Sequence, residues 1–177
     1  MRLFHCPVLL VLAAALPISA QFASSGTTTM SVTVQPEAAI RIDTAVTTLT
    51  STGTAFSNYT GTTAFTYKIR TLASGGSGAI QLQVTADFSP ANGPSVASPP
   101  TAGDQLTYVC TVSAPGTGCT GTQVASTTVA TSVSTFGANA SSTSNGNSGS
   151  VSWTLTNDPA YRTGSYTATT TLTISAT

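Results

Sequence analysis

Side chains able to carry out chemistry are few in this sequence, and their placement narrows what the chain can do. The one histidine, His5, lies ahead of an apolar run at the N-terminus. A hydrolytic triad needs a base beside its nucleophile, and no imidazole follows residue 20 to serve as one. The many serines and threonines therefore read as surface hydroxyls on strands. Five acids, Glu37, Asp43, Asp87, Asp104 and Asp158, are scattered singly, whereas glycosidases work with two facing carboxyl groups. Calcium prefers several clustered oxygens. Only Asn157-Asp158 hints at such a cluster, and its simpler reading is a turn before Pro159. The expectation is a non-enzyme with no catalytic residues, no cofactor and no metal. The sequons Asn58-Tyr59-Thr60 and Asn139-Ala140-Ser141 matter only in a host that glycosylates them, and such triplets arise easily in a chain of which Ser and Thr make up about a third.

Cys110 and Cys119 remain once the N-terminal Cys6 is set aside. An even pair in an exported protein favours a disulfide, here closing a short loop through Ala-Pro-Gly. A metal site would lack ligands, since the histidine belongs to the N-terminal segment. That segment has the layout of a signal peptide: Arg2 as the positive region, an apolar run from Pro7 to Leu16, a break at Pro17, and Ile18-Ser19-Ala20 at the cut. Residues 1–20 are thus expected to be removed, leaving 21–177 as one domain. The run is too short to span a bilayer, so no membrane insertion is expected after cleavage. Cys6 precedes the run instead of following it, and no Glu follows the cut closely, which argues against a lipoprotein and a type IV pilin. The expected destination is extracellular or the cell surface, through the periplasm in a diderm bacterium.

Composition constrains the partners. Charged residues are only 6% of the chain while apolar residues are 40%, which suits a folded core more than disorder. After residue 20 the cations are Arg41, Lys68, Arg70 and Arg162, four against five acids. There is no basic patch for phosphates, so nucleic acid is excluded as a partner. A near-neutral, hydroxyl-rich surface repels copies of itself weakly, which favours self-association.

The elements that must position these residues alternate at period two. Met30, Val32 and Val34 share a face before Pro36, and Ile40 and Ile42 resume after it. Phe65, Tyr67 and Ile69 oppose Thr66, Lys68 and Arg70, which puts Lys68 on the solvent side and out of reach of an intramolecular crosslink. Ile80, Leu82, Val84 and Phe88 follow, then Leu106, Tyr108 and Cys110. Weaker β-branched runs span Val124 to Phe136. Val151, Trp153 and Leu155 form another face, and Tyr166, Ala168, Leu172 and Ile174 a last one. Turn clusters at Ser74–Gly78, Ser89–Asp104, Ala114–Gly118 and Gly137–Gly149 separate them. The pattern predicts an all-β fold, an immunoglobulin-like antiparallel β-sandwich of about 8–10 strands. Trp153 is expected in the core. A competing role for it, with Tyr59 and Tyr161, is stacking on sugar rings in a monomeric adhesin or carbohydrate-binding module with a glycan or cell surface as partner.

The two ends are the most informative. Thr27-Thr28-Thr29-Met30-Ser31-Val32-Thr33-Val34 alternates directly after a Ser/Gly start, and Gly164-Ser165-Tyr166 opens the terminal strand. This layout resembles the secreted pilin-type β-sandwiches related to spore coat protein U and the archaic chaperone-usher fimbrial subunits. The resemblance covers roughly forty residues at the termini. Those families carry a cysteine near the end of the first strand, where this chain has Ala38, Ala39 and Ile40. It implies a structural subunit of an extracellular filament, pilus or surface matrix. An N-terminal extension, with Met30, Val32 and Val34 as plugs, would complete a neighbour's sheet, and Gly164 and Tyr166 would mark the terminal strand.

Overall fold

Runs in which every second residue is apolar, separated by Gly, Pro, Ser and Asn, leave this chain one way to bury its greasy side chains, as sheets packed face to face. The computed structural model describes residues 25–177. The expected signal peptide and the cut before Gln21 lie outside the described residues. The chain divides into a short N-terminal unit ending at Thr33 and a unit of Val34–Thr177. Described residues of the first unit form no strand.

The second unit holds nine strands: β1 (Glu37–Ile42), β2 (Tyr59–Arg70), β3 (Gly78–Ser89), β4 (Leu106–Val112), β5 (Thr117–Gly118), β6 (Gln123–Val124), β7 (Thr131–Phe136), β8 (Asn147–Leu155) and β9 (Thr167–Ala176). They build a five-stranded sheet ordered β1-β2-β8-β4-β6 and a four-stranded sheet ordered β5-β7-β3-β9, all pairings antiparallel. Among the described residues there is no helix. The fold is a β-sandwich; the neighbours β1-β2-β8-β4 and β3-β9 match A-B-E-D and C-F of the immunoglobulin plan, whereas β7, which follows β4 in the chain, stands beside β3.

The alternating faces meet as the pattern requires. Phe65, Tyr67, Ile80, Leu82, Val84, Tyr108, Val133 and Val151 are closed off from solvent, while Lys68 and Arg70 face out. Buried tyrosines keep partners for their hydroxyls. Tyr67 donates to the Ser113 carbonyl and accepts from the Gly116 N–H, and Tyr108 donates to the Ser132 carbonyl at 3.1 Å. Tyr166, just before β9, donates to the Arg162 carbonyl at 2.7 Å. A tyrosine at this corner, bonded back to the chain upstream, is a hallmark of immunoglobulin sandwiches.

Four turn boundaries differ from the sequence reading. Gly78 and Ser89 lie in β3, Thr117–Gly118 in β5 and Asn147–Gly149 in β8, where the sequence reads as turns. Glycine in a strand marks a close approach: Gly149 pairs with Phe65, and a Cβ there would lie 2.3 Å from the Phe65 ring. The missing side chain is a seat for the aromatic ring.

Cys110 and Cys119 form the expected disulfide, tying the end of β4 to the short β5 loop across nine positions. Cross-linking a loop of this size contributes about 2–3 kcal/mol through the unfolded chain. The double substitution C110S/C119S is therefore expected to lower unfolding free energy by about that much while keeping the β signature. Chemical denaturation followed by circular dichroism measures it, and a loss well under 1 kcal/mol contradicts the assignment of a stabilising role.

Candidate functional site

Two regions of the sandwich carry features beyond packing. The first is the side where β9 and β1 end their sheets. β9 pairs with β3 from Gly78 opposite Ala176 to Ser89 opposite Thr167, and among the described residues no strand pairs with its other edge. Among the described residues β1 pairs only with β2. The two edge strands approach each other without a hydrogen-bonded ladder between them. In the immunoglobulin plan a G strand stands beside F, which is the place next to β9.

The burial pattern reflects this open edge. Inner positions of β3 and β8 are closed off, whereas Ala168, Thr170, Leu172, Ile174 and Ala176 on β9 stay half-buried, as do Ala38 and Ile40 on β1. The ten residues of β9 include no charge and no proline, the devices that normally protect an edge from pairing with another chain. Met30, Val32 and Val34 are 91%, 86% and 59% exposed and belong to no strand, so the expected alternating segment is extended-type sequence without a sheet in the single chain. Gly164 and Tyr166 precede β9, and Tyr166 fixes its entry through the corner hydrogen bond to the Arg162 carbonyl.

The second region is the end of the sandwich where the 89–104 loop meets the 156–166 loop. Asp87, near the end of β3, accepts from the backbone N–H groups of Phe88, Val96 and Ala97 at 2.8, 2.7 and 3.1 Å and from the Ser95 hydroxyl at 2.7 Å. Burial pushes its pKa up, but these four donors outweigh burial and hold it below the ordinary 3.8. A depressed carboxylate stabilises the fold fully above that value and loses the contribution as pH falls through its folded pKa. The 89–98 loop is therefore expected to loosen in acid below about pH 4, and D87N to loosen it at pH 7. Amide exchange at Val96 and Ala97 reports this, and equal protection in D87N at neutral pH contradicts it.

The acids are less scattered in space than in sequence. Glu37 pairs with Arg70 at 3.2 Å, and Asp43 with Arg41 at 2.7 Å. Asp104 and Asp158 come together. Asp104, 8% exposed, is raised by burial and by hydrogen bonding to Asp158. Asp158 is lowered by the Ala160 N–H at 2.6 Å, by the Thr101 hydroxyl and by Asp104. The two carboxyls lie near enough to drive each other's titration apart, Asp104 upward and Asp158 downward. Asn157 donates to the Ser57 carbonyl at 3.2 Å, and Asp158 caps the turn through Pro159. Among the described residues no group of three or more metal-ligating side chains gathers. Sequence spacing could not reveal the Asp104–Asp158 pair or the Asp87 hub, because both depend on a loop folding back.

The aromatic residues separate by position. Trp153 is 5% exposed and donates its indole N–H to the Thr63 hydroxyl at 2.8 Å, so it cannot offer its ring to a sugar. Tyr59 and Tyr161 are half-buried. Burial and the nearby Asp104 push the Tyr161 hydroxyl up to about 12. The sequon residues Asn58 and Asn139 are both exposed. No protein-family model matches the chain, and no curated protein or solved structure does.

Proposed function

We propose that the chain is a secreted structural subunit of an extracellular filament, pilus or surface matrix, in which residues 27–34 of one copy pair with the β9 edge of the next. The observation that carries this reading is the unprotected outer edge of β9 with its half-buried inner face. An added strand would satisfy the main-chain groups of that edge and cover Leu172 and Ile174 with alternate side chains. Met30, Val32 and Val34 supply that alternation on a segment exposed to solvent. The neutral, hydroxyl-rich surface adds little repulsion between copies. Strands lie about 4.8 Å apart, so an insert between β1 and β9 needs roughly twice that between its neighbours. Cα atoms of β1 and β9 now come within 8 Å of each other, so pairing would push β1 outward.

The test is the state of the native secretion. Size-exclusion chromatography and negative-stain microscopy are expected to show high-mass assemblies that persist on heating in detergent. A monodisperse monomer that stays monomeric on concentration rejects the proposal.

A further inference from the structure

The loops at the second region border a hollow of about 430 Å³ that is half open to solvent and has the usual volume of a small-molecule site. Phe88, Pro94 and Pro100 give it apolar walls, and Asn92, Ser95, Ser98 and Arg162 are its polar lining. We infer that this cavity binds a carboxylate-bearing sugar, a uronic acid residue, through Arg162.

The walls are fixed before any ligand arrives. Asp87 gathers four donors from the 88–97 stretch. Tyr166 clamps the opposite side: its ring lies so close to Gly93 that a Cβ there would be 2.2 Å from it, and its hydroxyl holds the Arg162 carbonyl. The Arg162 N–H in turn donates to the Asn92 carbonyl at 3.1 Å. The Arg162 backbone is thus held from two directions. Preorganisation of this kind reduces the cost of binding.

The charges select the ligand. Among the described residues Arg41 and Arg70 are ion-paired, and Arg162 is not. Three carboxyl groups lie near the loops, but each is already engaged. Asp87 is spent on its four donors, Asp104 accepts from the Tyr161 hydroxyl, and Asp158 accepts from the Ala160 N–H. Arg162 is therefore the one charged residue lining the cavity. A guanidinium presents a planar fork that fits a carboxylate with two parallel hydrogen bonds. Phe88 and the prolines suit the C–H face of a sugar ring, and the Ser98 hydroxyl and Asn92 amide suit its hydroxyls. No lining residue belongs to β1 or β9, so the inference stands apart from the polymer reading.

The test uses the full exported chain, with D-glucuronate and D-glucose as probes in saturation-transfer NMR at low ionic strength. Glucuronate is expected to bind and glucose not to bind. R162M, an exposed change, is expected to weaken glucuronate roughly tenfold or more, and R162K to recover part of it. G93V, which drives a side chain into Tyr166, is expected to abolish binding with Arg162 intact. Equal binding of the two sugars, no binding of glucuronate, or full binding by R162M each overturns the assignment.

Discussion

Removal of residues 21–35 is expected to turn the exported protein from heat-resistant, high-mass assemblies into a folded monomer. Residues 25–35, the described part of the deleted stretch, form no strand, so the variant should keep its β signature and melting behaviour while losing self-association. The size of the effect follows from what the segment would bury. Met and Val side chains moved from water into a dry groove are each worth about 1.5–3 kcal/mol, and each new main-chain hydrogen bond adds about 0.5–1.5 kcal/mol. Ordering the segment costs about 1–2 kcal/mol per residue, so the plugs decide whether the exchange is favourable. V32D is the sharper version. It removes one plug and asks an unpaired carboxylate to enter the groove, at a cost of several kcal/mol, while leaving a solvent-exposed position of the single chain undisturbed. A synthetic peptide of residues 27–34 should bind the truncated monomer and block assembly when added in excess. Polymers that form unchanged without residues 21–35 would show that some other surface joins the copies.

The sandwich was legible because its signal is local. Phe65, Tyr67 and Ile69 declare an inner face within five residues, and Val151, Trp153 and Leu155 do the same, so type and facing follow from period two alone. The disulfide was legible for a similar reason, two cysteines with no competing ligand. What escaped depends on long-range placement. Gly149 reads as a turn residue until Phe65, on another strand, is seen to need its surface. Asp104 and Asp158 stand far apart in sequence and meet only because the 89–104 loop packs against the turn at Pro159. Asp87 looks like an outward residue of a strand, and its role as the hub of a loop requires Val96 and Ala97 to turn their N–H groups back toward it. The segment around Val32 has strand alternation without a strand. Alternation records which side chains would share a face, and a sheet also needs a neighbour with free hydrogen-bonding groups. Tyr166 was marked for its place before the last strand, but its physical work is the corner hydrogen bond and the contact with Gly93, neither of which has a sequence period.

Trp153→Ala is expected to be the most damaging single change to the monomer, lowering unfolding free energy by about 3–5 kcal/mol. The indole sits between the sheets on β8 with its ring centroid 5.5 Å from that of Tyr108. Its truncation opens a cavity that the rigid strands on either side cannot fill. The change also strips the Thr63 hydroxyl, itself buried, of its indole donor and leaves it with Thr47 alone. Trp153→Phe separates the two contributions. It restores most of the volume but not the N–H, so it should lose roughly 1–2 kcal/mol, the cost of an unmet buried hydrogen bond plus a small void. Denaturant titration followed by far-UV circular dichroism reads both variants without relying on the tryptophan they lack. The same position yields a spectroscopic expectation. Trp153 is the chain's single tryptophan, so the emission of the folded protein should be blue-shifted and inaccessible to iodide, and glucuronate bound near Arg162 should leave it unchanged. A red-shifted, readily quenched emission would place the indole in solvent, reopen its use as a sugar platform, and remove the central pillar of the packing described above.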